Sequence, residues 1–197
     1  VRRAAAQALC KFAAVCEPSV VREHLVPLFV GLAEDPQDSV KLLAVANCIA
    51  VSKRIDDSKV EVVLPVVLNL ASDNSYRVRW SVASHMSDLG QVFGEEVTTT
   101  KLMPVMQKLL QDPEPETRSI AAGSCEGFAK LISVEAIVAD ILPAVQTLVT
   151  DDESHVRVSL AGSIMSMSLI LKRDLTIQHL LPVFLKLLKD TDSEVRL

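Results

Sequence analysis

The sequence predicts an all-α fold, an α-solenoid of stacked antiparallel helix pairs, and three observations carry that reading. Pro27, Pro65, Pro104, Pro143 and Pro182 recur at separations of 38, 39, 39 and 39 residues. Asp35, Asp73, Asp112, Asp151 and Asp190 follow them in phase, each eight residues later. A pair ending in a basic residue comes next: Val40-Lys41, Val78-Arg79, Thr117-Arg118, Val156-Arg157 and Val195-Arg196, with Val1-Arg2 one period earlier. A fixed period of this length is the signature of stacked supersecondary units, none of which buries its apolar face alone.

The first half of each period reads as a helix. Offsets −2, −1, +1, +2, +5 and +6 from the proline are apolar in all five copies, in a chain that is 49% apolar. That spacing describes a helix with a broad buried face; the last copy supplies Leu180, Leu181, Val183, Phe184, Leu187 and Leu188. Proline inside a helix removes one hydrogen bond, and the apolar residues just before it favour a kinked helix over one that begins at the proline. The aspartate marks a turn that ends the first helix or caps the second. A second helix then follows, as in Val156, Leu160, Ile164, Met167 and Leu171, spaced by 4, 4, 3 and 4. The aspartate and the basic residue six positions on are expected to pair between neighbouring units as a ladder of exposed ion pairs, each worth about 0–1 kcal/mol.

These patterns divide the chain into a lone second helix at 1–17, complete pairs at 18–56, 57–95, 96–134 and 135–173, and the first helix and turn of a further pair at 174–197. All of it reads as one repeat array, expected to be cut inside repeats at both ends.

Composition excludes several functions. The 197 residues carry 20 Lys and Arg against 25 Asp and Glu, a net charge of −5, so the basic face of a nucleic-acid or anionic-membrane binder is not expected. No run of 18 uncharged apolar residues predicts a transmembrane span. Cys10, Cys16, Cys48 and Cys125 show no framework spacing and read as reduced thiols; Cys10, Cys48 and Cys125 fall at similar core positions. His24, His85, His155 and His179 are scattered, with His85 placed within a second helix, and no phosphate-loop, zinc or nucleophile-elbow motif occurs. Asp151-Asp152-Glu153 reads as a solvated turn. No active site, metal or cofactor is expected. An enzyme would need polar groups converging on the face lined by second helices, where Lys53, Arg54, Lys130, Lys172 and Arg173 read as charges without partners.

The turns joining paired helices carry the remaining information. A regular period lines them up along one edge as a polar ridge suited to a large partner. Its candidate docking residues are Gln37, Asp38, Ser75, Tyr76, Arg77, Glu114, Glu116, Glu153 and His155. Tyr76-Arg77 stands out, because Tyr and Arg are the residue types that anchor interfaces.

A two-helix period of 38–39 residues with proline, aspartate and Val-Arg in these phases resembles the HEAT repeat, an armadillo-like architecture. Particular segments are similar to the scaffold (structural, A-type) subunit family of protein phosphatase 2A. They are Val1-Arg2-Arg3-Ala4-Ala5, Asp38-Ser39-Val40-Lys41-Leu42-Leu43-Ala44-Val45, Arg77-Val78-Arg79, Thr176-Ile177-Gln178-His179-Leu180-Leu181-Pro182 and Glu194-Val195-Arg196-Leu197. The resemblance implies a non-catalytic, cytoplasmic or nuclear scaffold from the middle of a longer array. Its turns would hold a regulatory (B-type) subunit, and repeats mostly outside this chain would hold the catalytic subunit. It adds Arg3 to the docking residues and supports Arg77. Where the family usually shows Ser-Trp-Arg-Val-Arg, this chain has Ser75-Tyr76-Arg77-Val78-Arg79 followed by Trp80. A nuclear-transport receptor or cargo adaptor would share the repeats without these segments.

Overall fold

A computed structural model describes residues 1–55 and 58–196. The boundary expected between residues 56 and 57, and Leu197, lie outside the described residues. Helices and turns make up the described chain, with no strand among the described residues. It divides into two compact units, Val1–Gly94 and Glu95–Leu197.

In the first unit α1 (Arg2–Val15) is followed by α2 (18–33), α3 (Asp38–Ser52), α4 (Lys59–Leu70), α5 (Tyr76–Ser84) and α6 (Met86–Phe93). Second-position helices pack on one another, α1 on α3 and α3 on α5 and α6, while the first-position helices α2 and α4 pack together. Phe29, Val40, Val45, Cys48, Val63, Val78, Val82, Met86 and Leu89 form the buried interior. The second unit repeats the plan with α7 (95–110), α8 (Pro115–Ala129), α9 (134–148), α10 (Ser154–Leu175), α11 (176–187) and α12 (Ser193–Arg196). Here α8 lies on α10 and α7 on α9, around Leu102, Met106, Phe128, Ile137, Ile141, Val145, Leu160 and Met167.

The apolar offsets around the prolines are the core. Around Pro65, Pro104 and Pro143 all of them except Val105 are buried; the outer copies expose Leu28, Leu181 and Leu188.

The prolines do sit inside kinked helices, and the device is specific. Each of α2, α7, α9 and α11 carries a five-residue π turn, Val21–Leu25, Thr98–Leu102, Ile137–Ile141 and Thr176–Leu180, ending two residues before its proline. The residue preceding each proline donates its N–H five residues back: Val26 to the Val21 carbonyl, Met103 to Thr98, Leu142 to Ile137, Leu181 to Thr176. The wider turn relieves the clash of the proline ring with the carbonyl four residues earlier. Pro65 is held within α4.

Two breaks use positive φ at the same repeat phase. Gly94 has φ 85° and Lys172 has φ 61°, ψ −178°. The second divides Ser154–Leu187, a stretch otherwise long and apolar enough to cross a membrane. Ahead of the break, Val156, Leu160, Ile164, Met167 and Leu171 are buried core residues. His85 does not lie within a continuous second helix as the sequence indicated. It sits at the break between α5 and α6 with φ −110°, ψ 8°, its Nδ1 2.8 Å from the Ser81 carbonyl oxygen.

Candidate functional site: the turns between paired helices

Every turn is built on its aspartate. Asp35, Asp73, Asp112, Asp151 and Asp190 each accept, through Oδ1, the backbone N–H two residues on, from Gln37, Ser75, Glu114, Glu153 and Asp192 at 2.9–3.1 Å. This closes an Asx turn and satisfies a donor that the following helix leaves open. The second carboxylate oxygen is taken by a basic residue one period earlier. Arg2 reaches Asp35 at 2.6 Å and Lys41 reaches Asp73 at 2.7 Å. Arg118 grips Asp151 with Nε and Nη2 at 2.7 and 2.9 Å, and Arg157 grips Asp190 in the same way.

The same arginines also turn back on their own loop. Arg79 Nη1 donates to the carbonyls of Asp73 and Asn74, Arg118 to Asp112 and Pro113, Arg157 to Asp151 and Asp152, and Arg196 to Asp190 and Thr191. One guanidinium thus ties its own turn to the next, which a planar fork with five donors allows and an ammonium does not.

The ladder is therefore real but not exposed as the sequence indicated. The Asp35, Asp151 and Asp190 side chains are only 4%, 6% and 10% accessible, and Arg157 12%. Burial raises the cost of the Asp151 charge, yet the hydrogen bond from Arg118 outweighs it and holds the carboxyl below its ordinary range. At Asp190 the hydrogen bond from Arg157 has the same effect.

With the aspartates committed inward, the rest of each turn is sorted by position. Gln37, Ser75, Glu114 and Glu153 precede the second helices with extended backbone, and their side chains make no cap bond. Gln37 and Glu153 are exposed, Ser75 and Glu114 half-buried. Asp38 and Tyr76, one residue on, are half-buried; Arg77, Glu116 and His155, the next phase, are all exposed, as is Arg3 in the first turn of α1. The Arg77 guanidinium lies 5.8 Å from the centre of the Tyr76 ring, within cation–π range. His155 Nδ1 is 4.0 Å from Glu153 Oε2. The ladder brings turns 35–39 and 73–77 together in the first unit, and 112–116, 151–155 and 190–194 in the second.

One residue escaped the sequence reading. Trp80, a turn of helix beyond Tyr76 and Arg77, is 41% exposed; its signal was a large aromatic at the phase that carries Arg3 in the earlier copy. Two charges read as unpartnered have partners: Arg54 donates to the Cys16 carbonyl at 2.7 Å and Lys130 pairs with Glu126 at 2.7 Å. Cys48 and Cys125 are fully buried, and burial pushes the Cys125 thiol up to about 12. Cys10 is only half-buried, its Sγ donating to Asn47 Oδ1 at 2.7 Å.

Paired helices in a 39-residue period, with proline-bearing first helices and Asp–Arg turns, define an all-α repeat protein of the HEAT-repeat solenoid class. Residues 95–171 match the family described as PPP2R1A-like HEAT repeat. The particular relative is the A-type regulatory subunit of protein phosphatase PP2A from Schizosaccharomyces pombe, 33% identical over 96 residues, which are 48% of this chain and 16% of that protein. The resemblance to the scaffold subunit read from the sequence stands in both comparisons, and the chain spans about one sixth of that relative's length. Among solved structures, a designed armadillo repeat protein, YIII(Dq)4CqI, matches with a TM-score of 0.57 at 18% identity, covering 98% of this chain and 88% of that one. Cex1p matches with a TM-score of 0.72 at 15% identity, covering 86% of this chain and 33% of that one. These likenesses show the fold.

Proposed function

We propose that this chain is part of the non-catalytic scaffold subunit of a protein phosphatase 2A-type serine/threonine phosphatase, and that its inter-helix turns dock a regulatory (B-type) subunit. The observation that carries the reading is the division of labour within each turn. The aspartate and arginine lock turn to turn, so Gln37, Tyr76, Arg77, Glu114, Glu116, Glu153 and His155 are held in place without being needed for the fold. Side chains fixed before encounter lose less entropy on binding. The two units offer different chemistry, Tyr76-Arg77 with Trp80 in the first and Glu114, Glu116 and Glu153 in the second. The catalytic subunit binds repeats mostly outside this chain, and the scaffold works in the cytoplasm or nucleus.

The experiment is calorimetric titration of the chain with a purified B-type regulatory subunit, then separately with purified catalytic subunit. The reading expects saturable regulatory-subunit binding that weakens with salt, and much weaker catalytic-subunit binding. Binding to neither, or only to the catalytic subunit, would remove it.

A further inference from the structure

The first unit contains a basic pocket that the turns do not use. It lies at the far ends of the second-position helices, about 22 Å along α3 from its turn. Ala14, Ala46, Ile49 and Ala50 form its floor, Lys53, Arg54, His85 and Asp88 its polar edge, and it encloses about 550 Å³. The small alanines leave room, and the breaks after α3 and between α5 and α6 bring Lys53, Arg54 and His85 to one rim.

Arg54 is the informative residue. Its Nη2 donates to the carbonyl of Cys16 at the end of α1, which fixes the guanidinium. Its Nε is buried and has no hydrogen-bond partner, a state native structures rarely leave unfilled. The same Nε/Nη2 edge of Arg118 and of Arg157 receives a carboxylate, from Asp151 and Asp190. Arg54 therefore presents the carboxylate-binding edge that this chain uses elsewhere, with one of its two donors open. Lys53 is exposed beside it, and Asp88 offsets only one of the two positive charges.

We infer that this pocket takes the carboxylate side chain of an acidic peptide segment, with Arg54 as its anchor, Lys53 as a second charge, and the alanine floor receiving an adjoining apolar side chain. The groove is too large for a small anion alone, and a side-on guanidinium edge matches a planar carboxylate. The inference is independent of docking through the turns, which are at the other end of α3.

The test is titration of the whole chain with acetylated Glu-Leu-Glu-Leu-Glu amide, its Gln-Leu-Gln-Leu-Gln counterpart, and a version with phosphoserine for glutamate, followed by the Nε–H resonance of Arg54. The acidic peptide should saturate and shift that resonance, and the glutamine peptide should not bind. Arg54→Lys should weaken binding at least tenfold. Because Arg54→Lys also loses the tie to Cys16, Lys53→Gln serves as the second variant. It should weaken binding about threefold with the melting temperature unchanged. Equal binding of the glutamine peptide, no effect of either variant, or no saturable binding would overturn the inference. Tighter binding of the phosphoserine peptide would overturn the carboxylate assignment. Binding seen only after Asp56→Asn with Asp57→Asn would make the chain's own carboxylates the occupant and overturn it too.

Discussion

Arg157 shows why charge spacing alone misjudged the ladder. A pair six residues apart in sequence gave exposed ion pairs worth little, whereas the folded side chain makes four hydrogen bonds to two turns with only 12% of it accessible. Arg157→Ala would leave Asp190 and two carbonyls without their partner, and should cost about 2–3 kcal/mol in urea unfolding, well above an exposed pair. Lys41 is the natural comparison. It reaches Asp73 but, as an ammonium, has no fork for the carbonyls of its own turn, so Lys41→Arg should raise stability by about 0.5–1.5 kcal/mol. The carboxylates set the pH dependence. Asp151 and Asp190 titrate below their ordinary values in the folded chain. Their contribution is therefore complete above the unfolded carboxylate pKa near 4 and is lost as pH falls through the lower folded values. The melting temperature should be flat from about pH 7 to 5 and then fall, and Asp190→Asn should make the fall shallower. Lys172 carries backbone strain: φ 61°, ψ −178° is a region used almost only by glycine. Lys172→Gly should stabilise by about 1 kcal/mol, read by the same unfolding.

At the scale of elements, most of the fold was legible in the sequence because one period carried three phased signals. Proline, aspartate and the Val-basic pair each report a different part of the helix pair, and their agreement left few alternatives. The prolines were legible as kinks but not as π turns, since the choice of a carbonyl five residues back in place of four leaves no trace in residue type. The break at His85 was hidden for a related reason. Val78, Val82, Met86 and Leu89 keep a helical apolar spacing straight across it. The turn residues were legible as a row; which of them face inward was not, because Asp35 and Asp38 have the same chemistry and differ only in what lies one period away. The Arg54 pocket had no sequence signal, being made by two helix breaks and three alanines.

At the scale of the whole molecule, apolar surface predicts association. The first unit exposes Phe12 and Leu28 (57% and 60%) around a groove of about 600 Å³, and the second exposes Met165 and Leu169 (56% and 85%). Leu28 occupies the offset that is buried as Val66, Ala144 and Val183 in other copies, so its exposure marks a repeat face open to a neighbour. Light scattering should show mass rising with concentration, and Leu28→Glu should reduce it; a constant monomer mass would contradict this.

The claim that turns locked by the ladder leave a docking row free is tested most directly on Tyr76 and Arg77. Affinity for the regulatory subunit should be measured together with thermal unfolding, for the chain and for Tyr76→Ala with Arg77→Ala. The account predicts a loss of about 1–2 kcal/mol in binding with under about 1 kcal/mol lost in stability. Unchanged affinity, or a loss of affinity matched by an equal loss of stability, would contradict it.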